Sequence, residues 1–455
     1  MAGLTVAGVL LRGAAAGRCA VVARDAGGYL DVAARLRAGE LSSALAHHVP
    51  PGYPLLLVLA GGDLVLAAWL TALASGLVVP FAALAAGQRW GPRAAVWAAT
   101  LAALWPLGIE LGSELLSDGP FAAWVLGALA CADRAQLRER GWPWGLAASL
   151  LAALGYFTRP EGLAVLGLVG LALALSGVWR RRPRLVAAVA APALAALVPW
   201  LLWIRSRPVL GGSEAGAWKL TLKRNLGERL AILTPGLVAG RAGRLAVALG
   251  VALGPVGWLL AGWGLVGWAR GRRRPRGPLL LFGAAGASLT LAYLLVRVDA
   301  RYGLPLAALC LPWLGREARA LARDPRWRTG LLVAALVVAA GATLRPRRAD
   351  KAPLREAGAC LREVGARRVL AHDSRSAFYA GAVAEHLLLH VPDKREHTPQ
   401  RVIALARELR VDAVVWRVRD PDDSGALRGA FGEPVGTFGG EGQLRLEVYL
   451  ARGAE

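Results

Sequence analysis

Acidic side chains that could do chemistry lie at the ends of apolar segments of this chain. Asp25 follows an apolar run and Arg24, and opens a polar, turn-rich stretch, where it can face a polar cavity or close an interfacial ion pair with Arg24. A second set, in the sequence IELGSELLSDGP, spaces Glu110, Glu114 and Asp118 four residues apart, which on a helix would place them on one face. Three stacked carboxylates repel unless a cation, an arginine or water lies opposite. These acids are therefore either a binding site, or solvated glutamates with Asp118 capping the next span.

Two arginines occupy similar positions further along the chain. Arg159 and Glu161, in FTRPEG, lie at a helix end that Pro160 breaks, where they can form an ion pair or contact an anion. Arg301 is followed by Tyr302 in VDARYGLP. A guanidinium offers several donors in a rigid fork and suits a phosphate group. Anchoring at the membrane interface is the alternative role for Arg301.

A histidine pair, His47 and His48, precedes the rigid turn Pro50-Pro51-Gly52-Tyr53-Pro54. Either histidine could bind a metal ion or an acceptor. Adjacent histidines cannot share a helix face, and no cysteine lies nearby in the sequence to complete a metal site. The favoured interpretation is therefore that both are polar loop residues.

The composition is that of a polytopic membrane protein. The 455 residues are 56% hydrophobic, with a mean hydropathy of +0.45. A soluble domain is usually about 45–50% apolar. The net charge of +23 comes mostly from arginines in short clusters between apolar segments, and no basic-aromatic groove pattern accompanies them. Membrane topology explains this charge better than a nucleic-acid partner, which we do not expect.

Eleven segments approach the roughly 20 apolar residues that a span requires. The first, residues 4–22, is interrupted by Arg12 and Arg18. Clusters of arginine alternate between the segments, and the positive-inside rule makes that side cytoplasmic. The loop 205–244 is an exception, because it carries many cations on the predicted outer side. The remaining predicted spans are 64–86, 94–109, 120–132, 142–157, 162–178, 185–204, 245–268, 279–296, 302–314 and 330–344.

Hydropathy falls from about Lys351, and helical and strand-like patterns then alternate. Helices are predicted at 354–364 and 400–410, and strands at 368–372, 413–418 and 444–450. Such alternation indicates a small α/β domain. We therefore predict an α-helical polytopic membrane domain over residues 1–345, with a first outer loop at 24–63. A small C-terminal α/β extracytoplasmic domain is predicted over 351–455.

The first outer loop carries a family resemblance. An acid after the first span, an interfacial helix with Tyr29 and Leu36 on its apolar side, and the string PPGYPLL resemble the corresponding loop of GT-C glycosyltransferases. The similarity is to the bacterial branch related to protein-O-mannosyltransferases and aminoarabinose transferases. FTRPEG and the pattern RY-x-x-P resemble recurrent turns of the same superfamily. These enzymes move a sugar from a polyprenyl-phosphate carrier to an acceptor on the outer face of the membrane.

The resemblance implies a GT-C-like fold of about 11 transmembrane helices and an inverting glycosyltransferase of the bacterial inner membrane. It implies a polyprenyl-phosphate-linked sugar donor, membrane lipid around the chain, and a glycan, lipid or protein acceptor. The cofactor is unknown, with a divalent metal ion as the candidate. The implied roles are general base for Asp25, donor phosphate binding for Arg301, Tyr302 and Arg159, and metal or acceptor binding for Glu110, Glu114, Asp118, His47 and His48.

Two other classes of function remain open. A transporter or lipid flippase would favour inverted repeats and Gly/Pro-broken spans at matching positions in two halves. Neither feature is evident in the sequence. A degenerate relative that acts as a non-catalytic assembly subunit of cell-envelope biogenesis is the third alternative, because the small residues Ala26, Gly27 and Gly28 follow Asp25.

Overall fold

A computed structural model describes residues 1–23, 25–46, 50–165, 167, 183–206, 234–269, 278–294, 300–373, 375–386, 397–418, 423–440 and 443–451. His47, His48, most of the predicted span 162–178 and most of the loop 205–244 lie outside these residues. The chain divides into two compact units. We call Met1–Gly17 with Gly28–Arg345 the helical unit, and Arg18–Gly27 with Pro346–Glu455 the C-terminal unit.

The described part of the helical unit is built from α-helices, together with one 3-10 turn at Ala300–Tyr302. Tyr29, Val32 and Ala33 recur at helical spacing and are buried, which explains why α2 forms. The helices are α1 (Ala2–Ala16), α2 (Ala26–Arg37), α3 (Leu41–Ala46), α4 (Gly52–Val58), α5 (Leu64–Gly76), α6 (Val78–Trp90), α7 (Pro92–Ala103), α8 (Pro106–Ser113), α9 (Asp118–Leu137), α10 (Trp142–Thr158), α11 (Pro183–Ser206), α12 (Pro235–Ala269), α13 (Pro278–Leu294), α14 (Gly303–Leu321) and α15 (Pro325–Leu344).

Several of these helices are apolar enough for a membrane protein. Among the described residues, three stretches have the length and hydropathy to cross a membrane: Leu64–Trp90, Pro235–Gly267 and Pro325–Leu344. The bent pair α7 and α8 would make a fourth. The helical membrane architecture agrees with the sequence, whereas the count of eleven spans stays a prediction.

The predicted span 94–109 is broken between α7 and α8, which are bent by 52°. In a continuous helix the carbonyl of Ala102 would accept from the N–H of residue 106, but Pro106 has none. The fully buried Arg12 replaces that donor, with Nη2 3.3 Å from the carbonyl of Ala102 and Nη1 2.7 Å from that of Gly8. Arg12 thus satisfies a carbonyl that the helix break exposes where water is scarce.

Helix α12 is broken in a similar way at Gly254, which has φ 63° and is followed by Pro255. The indole N–H of Trp105 donates to the carbonyl of Ala252 beside this break. Two predicted spans of this unit are therefore broken at Gly or Pro, and neither break was predicted from the sequence.

The C-terminal unit contains a five-stranded mixed sheet with the order β2-β1-β3-β5-β4. Strand β1 pairs in parallel with β2 and β3, while β5 is antiparallel to β3 and β4. Two separate clusters of buried apolar side chains lie against this sheet, one containing Leu354 and the other Leu405. The elements are α16 (Pro353–Glu363), β1 (Arg368–Ala371), α17 (Arg375–Ala380), β2 (Val383–His386), α18 (Pro399–Glu408), β3 (Ala413–Arg417), α19 (Asp423–Phe431), β4 (Gly436–Phe438) and β5 (Leu446–Leu450).

Candidate functional site

A buried ion cluster in the helical unit joins two of the predicted motifs. Asp118 lies in the first turn of α9, where the helix dipole favours an acid, and its side chain is 1% exposed. Arg159, the first residue after α10, donates a hydrogen bond to the Asp118 carboxylate. Its Nη2 and Nε also lie 3.1 and 3.4 Å from the two oxygens of Glu161. Arg159 is therefore held by two carboxylates.

Arg301 approaches the same aspartate from the 3-10 turn before α14. Its Nη1 lies 3.9 Å from Oδ2 of Asp118, so this carboxylate stands between two guanidinium groups. The Arg301 side chain is 27% exposed, compared with 11% for Arg159. Arg301 is thus the more accessible of the two cations.

Two tyrosine rings form the aromatic side of this cluster. The Cζ atoms of Arg159 and Arg301 lie 5.2 and 5.9 Å from the ring centroid of Tyr302, within the range of cation–π attraction. The ring of Tyr293 stacks on Tyr302 at 4.8 Å with an interplanar angle of 17°. Tyr293 lies inside an apolar run, LTLAYLL, which gave no signal of a site.

Glu161 lies in the turn after α10, outside the helices. Burial by itself raises the pKa of this carboxyl, but the adjacent Arg159 guanidinium outweighs burial, and Arg301 adds a smaller effect in the same direction. The net result is a pKa below the ordinary value of 4.5. Glu161 is therefore ionised at neutral pH and balances part of the arginine charge.

The first and second predicted outer loops meet beside Asp118. The hydroxyl of Tyr29, on α2, is 2.8 Å from that of Ser117, the residue directly before Asp118. Tyr29 packs edge-on against Tyr53 with ring centroids 4.9 Å apart, and the Tyr53 hydroxyl is 2.8 Å from that of Thr71. The tyrosine of the PPGYPLL string is thus a structural anchor for the site. The sequence pattern predicts only an apolar role for Tyr29 and does not indicate Ser117.

The three acids of the second loop do not lie on one helix. Glu110 lies in α8, which ends at Ser113, and Glu114 has an extended backbone with φ −85° and ψ 152°. Asp118 then begins a separate helix, α9. The expected stack of three carboxylates is therefore wrong, because the helix breaks between its members.

A metal site is not formed by the described residues. No group of three or more His, Cys, Asp or Glu side chains among them is placed to hold a metal ion. The divalent ion that the resemblance suggested stays a prediction, and we derive no step through a metal.

Asp25, the predicted base, occupies the turn directly before α2 and is exposed to solvent. It belongs to the C-terminal unit, in the segment Arg18–Gly27. The role of Asp25 as a general base stays a prediction. The sequence neighbour Arg24, with which an ion pair was the alternative, lies outside the described residues.

The cluster of Asp118, Arg159, Glu161, Arg301 and Tyr302 can bind an anion at its accessible side. Arg301 is the more exposed of its two guanidinium groups and is therefore the one that a ligand can contact more readily. Arginine forks bind phosphate oxygens through parallel N–H donors. The cluster brings together the three residues that the sequence assigned to a phosphate and one of its loop acids.

Comparisons with known proteins concern the family and the fold of the chain. The family model described as dolichyl-phosphate-mannose-protein mannosyltransferase matches residues 52–203. No curated protein matches the chain by sequence at a significant level.

Solved structures match over nearly the whole chain. ArnT from Cupriavidus metallidurans bound to undecaprenyl phosphate gives a TM-score of 0.66 at 15% identity, covering 99% of this chain and 98% of ArnT. The apo state of ArnT gives 0.58 at 16% identity, with 95% and 94% covered. The oligosaccharyltransferase AglB from Archaeoglobus fulgidus, in complex with an inhibitory peptide and a dolichol-phosphate, gives 0.52 at 13% identity, with 81% and 61% covered. Together these matches show that the chain has the GT-C fold predicted from the sequence, and the family match over residues 52–203 agrees with the resemblance to the mannosyltransferases of that superfamily.

Proposed function

We propose that this protein is a membrane glycosyltransferase that moves a sugar from a polyprenyl-phosphate carrier to a glycan, lipid or protein acceptor. The observation that carries the proposal is the pair of guanidinium groups of Arg159 and Arg301 around Asp118 beside the ring of Tyr302. A cation pair with one accessible member suits the phosphate of such a carrier. The proposed setting is the outer face of the bacterial inner membrane, with the C-terminal unit extracytoplasmic.

The proposed reaction is a single displacement. The acceptor hydroxyl attacks the anomeric carbon, a C–O bond forms there, and the bond between that carbon and the phosphate oxygen breaks. The hydroxyl proton passes to the carboxylate of Asp25, and polyprenyl phosphate leaves with the electron pair. One displacement inverts the configuration at the anomeric carbon. A positioned base contributes about 10²–10⁴-fold, and preorganised cations at the leaving phosphate contribute a further, often larger effect.

We assign different roles to the two arginines. Arg301 contacts the phosphate, because its side chain is the more exposed. Arg159 stays bound to Asp118 and Glu161 and keeps these two residues in position. Tyr302 lies against both guanidinium groups and limits their movement.

The carrier site can be tested by binding of undecaprenyl phosphate to the detergent-solubilised protein, measured by native mass spectrometry. We expect Arg301→Ala to weaken the Kd by about tenfold or more, which corresponds to about 1.4 kcal/mol. Arg301→Lys should be intermediate, because it keeps the charge and loses the fork. The matched control is Arg326→Ala, which removes an exposed arginine in the first turn of α15. Equal binding by Arg301→Ala and wild type would contradict the assignment.

A transporter or flippase is the second candidate, since broken spans are typical of that class. The observation in its favour is the break between α7 and α8 together with the break at Gly254 in α12. The two classes differ in chemistry. Membranes supplied with polyprenyl-phosphate-linked mannose or aminoarabinose should release free polyprenyl phosphate if the protein is a transferase, and should release none if it only moves lipids.

A further inference from the structure

The segment that leads to Asp25 is part of the C-terminal unit rather than a free connection. Residues Arg18–Gly27 belong to this unit although they precede the rest of it by more than 300 positions. The N–H of Ala20 donates to the carbonyl of Arg347 at 3.1 Å, and the N–H of Arg347 donates to that of Arg18 at 3.1 Å. The segment therefore pairs with the first residues of the C-terminal unit like a short parallel strand.

Two side chains of α17 hold both backbone groups of Val22. The hydroxyl of Tyr379 accepts a hydrogen bond from the Val22 N–H at 2.8 Å. Nη1 of Arg375 donates to the Val22 carbonyl at 3.3 Å. The neighbouring side chains of Val21 and Ala23 are 2% and 3% exposed. Because both backbone polar groups of Val22 are hydrogen-bonded and its neighbours are buried, the backbone at this point has a defined position within the C-terminal unit.

The side chains of Arg375 and Tyr379 that bind Val22 are themselves fixed in position. Arg375 is 3% exposed and binds Asp373 in two places, with Nε–Oδ1 of 2.9 Å and Nη2–Oδ2 of 2.6 Å. Asp373 follows strand β1 by two residues, which ties the guanidinium to the sheet. Helix α16 packs closely on α17 at Gly358, where a Cβ would lie 2.4 Å from that of Tyr379. The α17 side chains are thus fixed by the sheet on one side and by α16 on the other.

Asp25 lies three residues after Val22, so the Cα atoms of the two residues are about 10 Å apart at most. A general base must come within about 2.6–3.2 Å of the proton it removes, and a displacement of about 1 Å can cost about 100-fold in rate. We propose that the C-terminal unit acts as a positioning element for Asp25, with Tyr379 and Arg375 as the positioning residues. This inference rests on the proposed function and adds a role for the C-terminal unit.

The first test is kinetic. Tyr379→Phe removes the acceptor hydroxyl and keeps the ring. We expect kcat for sugar transfer to fall by about tenfold or more, with the KM for the polyprenyl-phosphate donor within about twofold of wild type. The fraction of chains that bind undecaprenyl phosphate should not change, which separates misplacement of the base from loss of folded protein. The matched control, Tyr449→Phe, removes another hydroxyl of the same unit, one that bonds Glu447, and should leave kcat unchanged.

A double variant tests whether Tyr379 acts through Asp25. In the Asp25→Asn background, Tyr379→Phe should not lower the residual rate further, because the group it positions is already inactive. Independent, multiplicative losses would overturn the proposal. So would an unchanged kcat in Tyr379→Phe.

Hydrogen exchange supplies a readout that does not depend on activity. The Val22 amide in the full-length protein should exchange about tenfold faster or more in Tyr379→Phe than in wild type, because its acceptor is gone. Faster exchange with unchanged kcat would contradict the positioning role and leave the proposed function standing. If the wild-type protein protects the Val22 amide from exchange but transfers no sugar, the proposed function is contradicted, and the inference with it.

Discussion

The guanidinium of Arg159 donates a hydrogen bond to the carboxylate of Asp118, a residue 41 positions earlier in the chain. Both side chains are buried, with exposed fractions of 11% and 1%. The pair ties the end of α10 to the start of α9. Removing one charge from such a pair leaves the other buried and only partly compensated.

Asp118→Asn should therefore both destabilise the protein and weaken binding at the proposed carrier site. Breaking a buried ion pair costs about 3–5 kcal/mol, and Glu161 compensates part of it here. We expect a lower melting temperature in detergent and weaker binding of undecaprenyl phosphate. The matched control is Asp31→Asn, which breaks the exposed pair of Asp31 and Arg35 and should cost about 0–1 kcal/mol. Equal melting temperatures for the two variants would argue against the central role of Asp118.

The break between α7 and α8 makes a second prediction, about Arg12. Arg12→Leu leaves the Ala102 carbonyl without the donor that replaces Pro106, at a cost of about 1–3 kcal/mol. Pro106→Ala restores a backbone N–H at that position. The double variant should therefore lose less stability than the sum of the losses of the two single variants. Arg93→Leu, at an exposed position of α7, is the control and should be nearly neutral. Strict additivity of the two changes, measured by thermal unfolding, would refute the account.

The lowered pKa of Glu161 predicts a dependence of stability on acid pH. The folded pKa lies below the unfolded value of 4.5, so the charged group stabilises the protein fully above pH 4.5. That stabilisation is lost as the pH falls from 4.5 through the folded pKa. Melting temperatures of wild type and Glu161→Gln should therefore differ at neutral pH and converge in acid. A difference that stays constant between pH 7 and pH 3 would show that Glu161 is not held by Arg159 as described.

Local elements were predictable because they depend on neighbouring residues. The helical spacing of Tyr29 and Val32 gave α2, and short runs of branched apolar residues gave strands β1, β3 and β5. Helix α17 was missed because it has only six residues, and strand β2 was missed because its sequence VAEH contains no run of branched apolar residues. The continuous span over 94–109 was wrong, since Pro106 breaks it.

Long-range pairings were not predictable from one sequence. Arg12 looked like an interruption of a span because its partner is a backbone carbonyl 90 positions away. The contact of Val22 with Tyr379 joins residues 357 positions apart, and no local pattern indicates it. The arginines of the site were found by residue type and position, whereas their shared carboxylate, Asp118, was identified only as one of three acids.

The most direct test of the central claim is sugar transfer by Asp25→Asn. The substitution keeps the size of the side chain and removes its ability to accept the acceptor's proton. Membranes containing wild type or the variant, at matched amounts of folded protein, are supplied with a radiolabelled polyprenyl-phosphate sugar. Transfer of the label to an acceptor is then measured. We expect transfer by wild type and a loss of about 100-fold or more in the variant, with undecaprenyl phosphate binding retained. Equal transfer by both proteins would contradict the assignment of Asp25 as the base.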